Sequence, residues 1–208
     1  MVKKMIEFLK QLTNPESIIH YGGLALLLFV VFAETGLLVG FFLPGDSLIF
    51  ISGMFCVSKP ELLGVNLFVL IIRLSAAAII GNMTAYWFGF KVGPPLFKRE
   101  DSIIFKKRYL ELTRDFYNKN GGKTLIMGRF LPIIRTFAPI FAGVIKVDFK
   151  KFMFYNFVGA FAWIGLLTCI GYFLGSYTWV QNNLSYIVVG LIIITLIPII
   201  PTLRKRNK

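Results

Sequence analysis

Residues 32–47 read Phe-Ala-Glu-Thr-Gly-Leu-Leu-Val-Gly-Phe-Phe-Leu-Pro-Gly-Asp-Ser and place two carboxylates, Glu34 and Asp46, in an otherwise apolar stretch. An ionised carboxylate is costly in hydrocarbon, so a polar surrounding must offset that cost. The glycines and the proline between the two acids disfavour one continuous straight helix. Non-helical backbone occurs at membrane depth only where it is buried in protein or lines a polar cavity. We therefore predict a re-entrant, broken helix over residues 34–57 that presents both acids to a polar pocket.

A second apolar stretch, residues 128–143, carries two arginines, Arg129 and Arg135, and two prolines. Arginine keeps its charge in proteins, so within a membrane it requires an anionic partner. Two interrupted apolar segments in corresponding positions of two halves are typical of a transporter site near the bilayer midplane. We predict a second broken segment over residues 124–145, entering from the opposite side.

Three motifs resemble those of the DedA family of bacterial inner-membrane proteins, also described as SNARE-associated or VTT-domain proteins. They are Glu34-Thr-Gly, Phe42-Leu-Pro-Gly-Asp46 and Gly128-Arg-Phe-Leu-Pro-Ile-Ile-Arg135-Thr. Residues 81–89 are similar to a further element of that family, with Asn82 where an acid is common. The resemblance also indicates further motif residues that support the site. They are Gly36, Pro44, Gly45, Asn82, Tyr86, Gly128, Pro132 and Thr136.

The resemblance implies lipid translocation across the bacterial cytoplasmic membrane. The expected substrate is a lipid with a phosphate-bearing head group, such as undecaprenyl phosphate or phosphatidylethanolamine. Proton motive force, or sodium in some members, is expected to drive the movement. The family's acidic positions correspond to Glu34 and Asp46, expected in proton coupling, and its arginines to Arg129 and Arg135, expected to bind the head group.

The composition independently indicates an integral membrane protein. The chain has 208 residues, of which 56% are hydrophobic, and its mean hydropathy of +0.72 exceeds that of soluble domains. The formal net charge of +13 would suggest nucleic-acid binding in a soluble protein. Here the basic residues cluster between apolar runs, which favours cytoplasmic loops, and we expect no nucleic-acid partner.

The basic residues also predict the topology. Polar segments 1–17, 91–123, 146–151 and 202–208 are rich in lysine and arginine, whereas residues 176–185 contain neither. The positive-inside rule then places both termini in the cytoplasm. We expect one membrane domain, residues 18–201, between a short amphipathic lead (1–17) and a basic tail (202–208). Its four full spans are predicted over residues 18–33, 62–90, 152–174 and 186–201, with a cytoplasmic amphipathic helix in 91–123.

The predicted site combines groups suited to ion-coupled anion transport. Burial disfavours the charged form of a carboxylate, whereas a nearby arginine favours it. Proton uptake by an acid would then release an arginine to bind phosphate. The residues alone leave a purely structural ion pair open, since buried pairs also fix how two segments dock.

Other function classes have weaker support in the residues. A proton-coupled antiporter for small ions or solutes would use the same acids, and a structural membrane-homeostasis factor would tolerate their neutralisation. An enzyme acting on lipid phosphates would need a nucleophile with its base, but His20 is the one histidine and lies far from the motifs. Cys56 and Cys169 lack metal-site spacing. We therefore predict no enzyme activity, no cofactor and no metal. Glycines between 159 and 175 are compatible with a homodimer.

Overall fold

The computed structural model describes residues 15–37, 43, 45–97, 129, 132–183, 186–187 and 190. Within these residues the regular structure is entirely helical, which confirms the predicted all-α class. In chain order the helices are α1 (Pro15–Gly36), α2 (Gly45–Ser58), α3 (Pro60–Leu63), α4 (Leu67–Phe97), α5 (Pro132–Val144), α6 (Phe149–Leu174) and α7 (Thr178–Asn182).

Two of these helices are long and apolar enough to cross a membrane. Leu67–Val92 of α4 and Phe149–Leu174 of α6 each contain 26 residues, which at the helical rise is about 39 Å and exceeds a hydrocarbon core of about 30 Å. Both helices expose large apolar side chains, including Phe68, Phe154 and Phe173, as lipid-facing surfaces require.

The predicted number of four spans is not confirmed, because most of the predicted last span, 186–201, lies outside the described residues. The tail and most of the amphipathic region also lie outside them.

The helix α1 corrects the first predicted break. It continues past Glu34 to Gly36, and Leu37 N–H still donates to the Ala33 carbonyl at 2.9 Å. Glu34 therefore lies on a helix, and the interruption falls between Gly36 and Gly45, the first residue of α2. The chain departs from helical geometry earlier, at Gly23, whose φ of 54° and ψ of −149° are accessible essentially to glycine alone.

The second predicted broken segment, 124–145, lies partly outside the described residues, and in its described part Pro139 does not interrupt the helix. The helix α5 runs without interruption from Pro132 to Val144, with Pro139 inside it. Proline at the first position is favourable, since its missing N–H would have no helical partner there. Proline in the interior removes one hydrogen bond, which membrane helices tolerate when neighbouring helices support the segment.

Other helix boundaries also differ from the prediction, because polar caps set them. The helix α4 begins at Leu67, where the Asn66 side chain accepts a bond from Val69 N–H at 2.9 Å. Asp148 caps α6 in the same way through Lys151 N–H at 2.9 Å, so α6 starts three residues before the predicted 152. The short helix α7 lies in residues predicted as a loop.

The chain divides into two compact units. The first unit comprises Met1–Val31, Phe42–Ala77 and Phe161–Lys208, and the second comprises Phe32–Phe41 and Ala78–Ala160.

In the first unit α2 packs closely on the second half of α6. A methyl group on Gly171 would overlap with the Phe50 carbonyl oxygen, so the glycine permits the contact. Because Gly171 packs within the chain, it no longer supports the homodimer, which stays a prediction.

The second unit is built around Tyr86 of α4. The Tyr86 ring stacks on Phe152 of α6 with ring centroids 4.6 Å apart, and its hydroxyl donates to the Val147 carbonyl at 2.6 Å. Gly143 of α5 lies against the backbone of Tyr86, where a methyl group would overlap with the Tyr86 carbonyl oxygen. These contacts hold α4, α5 and the first half of α6 together and thereby position the side chains described next.

Candidate functional site

A buried ion pair lies at the centre of the second unit. Arg135 Nη2 donates to Glu34 Oε1 at 2.6 Å, and the two side chains are only 8% and 7% exposed. Glu34 lies on α1 and Arg135 on the first turn of α5, so the pair joins the two motifs that the sequence marks by their charges. A charge-assisted bond this short and this buried is strong, because little water competes for either partner.

Close packing of α1 on α4 positions Glu34. Gly36 and Gly81 face each other, and a methyl group on Gly36 would lie 2.9 Å from the Gly81 Cα and carbonyl oxygen. Small residues allow helix backbones to approach in this way. The approach places Thr35 and Asn82, the neighbours of the two glycines in sequence, within hydrogen-bonding reach of each other.

Arg129 is held by Asn156 of α6. Its Nη2 group donates to Asn156 Oδ1 at 2.7 Å and to the Asn156 carbonyl at 3.2 Å. The Asn156 amide nitrogen in turn donates to the Ile79 carbonyl of α4 at 3.2 Å. Arg129 is 4% exposed and Asn156 is 2% exposed, so the guanidinium is fixed by neutral oxygens inside the unit.

Asn82 connects Arg129 with Thr35, the neighbour in sequence of Glu34. With its amide oxygen toward the guanidinium, Asn82 accepts a bond from Arg129 Nη2 at 2.7 Å and donates to the Thr35 carbonyl at 3.2 Å. The opposite amide orientation donates instead to Asn156 Oδ1 at 2.8 Å. The first orientation links Arg129 to the residue that follows Glu34, and it brings the Asn82 amide oxygen to 2.8 Å from Asn156 Oδ1, so that Arg129 Nη2 donates to both oxygens.

A small cavity is lined by both Arg129 and Arg135. Its volume is about 10 Å³, and its polar lining is formed by Asn82, Arg129, Arg135 and Asn156. A cavity needs about this volume to hold one water molecule. The closed site therefore has room for roughly one water beside the arginines.

Asp46 belongs to the first unit, where it lies on the first turn of α2. Its Oδ1 atom accepts a bond from the Trp163 indole N–H at 2.9 Å. A carboxylate at a helix N-terminus is also stabilised by the helix dipole. The structure thus gives Asp46 a defined polar environment within its own unit.

The remaining predicted residues are placed as follows. Thr136 is buried on α5, Pro132 begins α5, Gly45 begins α2, and Tyr86 forms the core of the second unit. Pro44 and Gly128 lie outside the described residues. Among the described residues, no group of three or more histidine, cysteine, aspartate or glutamate side chains could hold a metal ion.

Two residues of the site, Asn156 and Trp163, are not predicted from the sequence. Asn156 carries a detectable signal, because a polar side chain in the middle of a long apolar helix is costly unless it is hydrogen-bonded. Trp163 carries none, since tryptophan is common in apolar helices and its partner is 117 residues away in sequence.

Comparisons with known proteins identify the family. Residues 43–173 match the VTT domain, and the chain is 42% identical to Protein DedA of Escherichia coli K12 over 84% of this chain and 78% of that protein. The chain belongs to the DedA family. It is also 41% identical to an uncharacterised membrane protein of Mycobacterium tuberculosis H37Rv, over 83% of this chain and 74% of that protein.

A further DedA family relative is the inner membrane protein YqjA of Escherichia coli K12. It is 32% identical over 79% of this chain and 72% of its own length. No solved structure matches the chain. The family predicted from the motifs is confirmed, and the relatives' names, which describe membrane or inner-membrane proteins, support the predicted membrane location.

Proposed function

We propose that this DedA family protein translocates a phosphate-bearing lipid across the cytoplasmic membrane, coupled to an ion gradient. The observation that carries the proposal is the buried Glu34–Arg135 ion pair, beside a second buried guanidinium and a water-sized cavity. The substrate class is a phospholipid or a polyprenyl phosphate, such as phosphatidylethanolamine or undecaprenyl phosphate.

The two arginines suit a phosphate head group. A guanidinium presents planar, paired N–H donors that match the oxygens of phosphate better than an ammonium does. Arg129 and Arg135 both border the same cavity, so one phosphate can contact both once the cavity enlarges. The polar amides of Asn82 and Asn156 supply further hydrogen-bonding groups around it.

The closed cavity has about 10 Å³ of space, roughly the room for one water, so head-group binding requires the site to open. Separation of Arg135 from Glu34 is the step that makes donors available. A proton on Glu34 removes the negative charge and weakens the 2.6 Å bond. Protonation and phosphate binding therefore favour the same open arrangement, and this shared preference is the coupling we propose.

Asp46 is proposed as a second ion-binding group. Its carboxylate is held by the Trp163 indole, which donates a bond but cannot accept a proton. The donated bond orients the carboxylate, and we propose that the oriented carboxylate takes part in coupling transport to the ion gradient, either of protons or of sodium. Which of these two ions drives transport is decided by the experiment below.

We also infer the orientation in the bacterial inner membrane. Both termini are placed in the cytoplasm, because the predicted loops rich in lysine and arginine then face the same side. A topology reporter fused after Lys208 should be active only as a cytoplasmic reporter. Activity of an external reporter at that position would overturn the orientation.

The central experiment reconstitutes the purified protein in liposomes and follows labelled undecaprenyl phosphate and phosphatidylethanolamine between leaflets. Proton and sodium gradients are applied separately, so that the coupling ion is identified by the gradient that accelerates exchange. Glu34→Gln and Arg135→Ala are compared with the wild type. Matched controls are Glu61→Gln and Arg73→Ala, which make the same chemical changes at exposed positions.

Gradient-dependent lipid exchange that is lost in both site variants and kept in both controls would support the proposal. If folded wild-type protein moves neither lipid, lipid transport is wrong and small-solute antiport becomes the favoured function. If Glu34→Gln transports as well as the wild type, the ion pair has a structural role and proton coupling through Glu34 is wrong.

A further inference from the structure

We infer that Asn156 is a positioning residue that holds Arg129 in the orientation required for head-group binding. The role in binding rests on the proposed function, whereas the positioning of Arg129 rests on the geometry alone. Neither the sequence motifs nor the names of the relatives point to this residue.

The hydrogen bonds of Asn156 connect Arg129 with the helices α4 and α6. Both of its oxygen atoms, the side-chain Oδ1 and the backbone carbonyl, accept from Arg129 Nη2 at 2.7 and 3.2 Å. Its amide nitrogen donates to the Ile79 carbonyl at 3.2 Å. A buried asparagine whose donor and acceptor ends are both hydrogen-bonded is held in one rotamer. Its fixed oxygen atoms in turn fix the orientation of the guanidinium that donates to them.

Arg129 lies outside the helices that carry Asn156 and Ile79. It precedes α5, which begins at Pro132, so the α5 backbone does not fix its side chain. Asn156, in contrast, lies in the interior of α6 and is tied through Ile79 to α4. The long arginine side chain is thus oriented by two helices to which it does not belong.

The chemistry of Asn156 also matters for an anionic ligand. Amide and carbonyl oxygens orient the guanidinium by hydrogen bonds but add no negative charge to the cavity that they border. A ligand phosphate therefore meets no additional carboxylate from this anchor. A residue that acts in this way should affect the affinity for phosphate more than the rate of the steps that follow binding.

The test measures binding and transport in the full-length protein. The binding probe is a short-chain, water-soluble phosphatidic acid, titrated into the detergent-solubilised protein by calorimetry. Asn156→Ala is expected to weaken binding about tenfold, since a hydrogen bond to a charged group is lost. In liposomes the same variant should raise the half-saturating lipid concentration by a similar factor and leave the maximal rate within about twofold of the wild type.

A double-mutant cycle shows whether Asn156 acts through Arg129. In an Arg129→Ala background the additional Asn156→Ala substitution should cause no further loss of binding. Asn183→Ala, at the end of α7, serves as the asparagine control and should bind the probe as the wild type does. Wild-type affinity in Asn156→Ala, or additive losses in the cycle, would overturn the inference.

The same variants separate this inference from the proposed function. If the wild type binds the probe but transports no lipid, the proposed function fails and the binding cycle still decides the role of Asn156. If the wild type does not bind the probe, the cycle is repeated on thermal unfolding. Additive shifts in Tm would then overturn the positioning of Arg129, and non-additive shifts would support it.

Discussion

Arg135 Nη2 lies 2.6 Å from Glu34 Oε1, although 101 residues separate the two side chains in sequence. The bond joins the end of α1 to the beginning of α5 inside one compact unit. Because both side chains are nearly excluded from solvent, loss of either partner removes a short charge-assisted bond from a buried group. Substitutions in the pair should therefore affect stability as well as the proposed transport.

Neutralising one partner of the pair should destabilise the protein. Glu34→Gln is expected to lower the free energy of unfolding by about 3 kcal/mol, because the buried Arg135 guanidinium loses its bond to the Glu34 carboxylate. Denaturant unfolding in detergent measures this loss. Glu61→Gln, at an exposed position, should change the free energy by less than about 0.5 kcal/mol. Combining Glu34→Gln with Arg135→Gln should cost less than the sum of the two single changes, and strict additivity would contradict the coupling.

Adding one methyl group at the α1–α4 contact should disrupt the site. In Gly81→Ala the new Cβ would overlap with Thr35 Oγ1 and lie 2.7 Å from the Phe32 carbonyl oxygen, a backbone atom that cannot rotate away. We expect a loss of about 2 kcal/mol of stability and reduced transport, measured by thermal unfolding and lipid exchange.

Gly165→Ala is the matched control for this change. A methyl group at Gly165 meets no atom within 4 Å, and alanine is the better helix former by about 1 kcal/mol. The control should therefore melt at or above the temperature of the wild type. An unchanged Tm in Gly81→Ala would show that α1 and α4 are not tightly packed there.

Removing one hydroxyl group should weaken the core of the second unit. Tyr86→Phe keeps the ring that stacks on Phe152 but loses the 2.6 Å bond to the Val147 carbonyl. The orphaned carbonyl is expected to cost about 1–2 kcal/mol, read from denaturant unfolding. Tyr177→Phe, where the tyrosine is exposed, should be neutral. A neutral Tyr86→Phe would mean that water replaces the lost donor.

The indole of Trp163 should matter for transport through Asp46. Trp163→Phe removes the donor that lies 2.9 Å from Asp46 Oδ1, and we expect lipid exchange to fall about tenfold, as for loss of a bond to a charged group. Trp179→Phe, at an exposed position, should leave exchange unchanged. In an Asp46→Asn background Trp163→Phe should have little further effect, and a full tenfold loss there would show that Trp163 acts independently of Asp46.

The charges in the apolar runs made much of the site predictable. Glu34 and Arg135 were recognised because ionised groups in such runs require partners, and the structure pairs them. Asn156 was not recognised, because a neutral amide carries a smaller cost and has no motif around it. Its role depends on Ile79 and Arg129, which only the tertiary structure brings close.

The errors in the helix bounds have a different cause. Glycine and proline predict interruptions. Gly36 does end α1, as well as contacting α4, whereas Pro139 lies inside α5 without interrupting it. Local propensity is a weak guide in apolar segments, where neighbouring helices support residues that would interrupt an isolated helix.

Arg129 is held by the uncharged residue Asn156, and this determines which of the two arginines responds first to acidification. The amide and carbonyl oxygens of Asn156 do not titrate in the physiological range, whereas the Glu34 carboxylate can accept a proton. Acidification can therefore loosen Arg135 while the Asn156 bonds to Arg129 persist. The Arg129 guanidinium would keep its position, whereas the Arg135 guanidinium would become free to move. A lipid phosphate would therefore bind the two arginines in two successive stages.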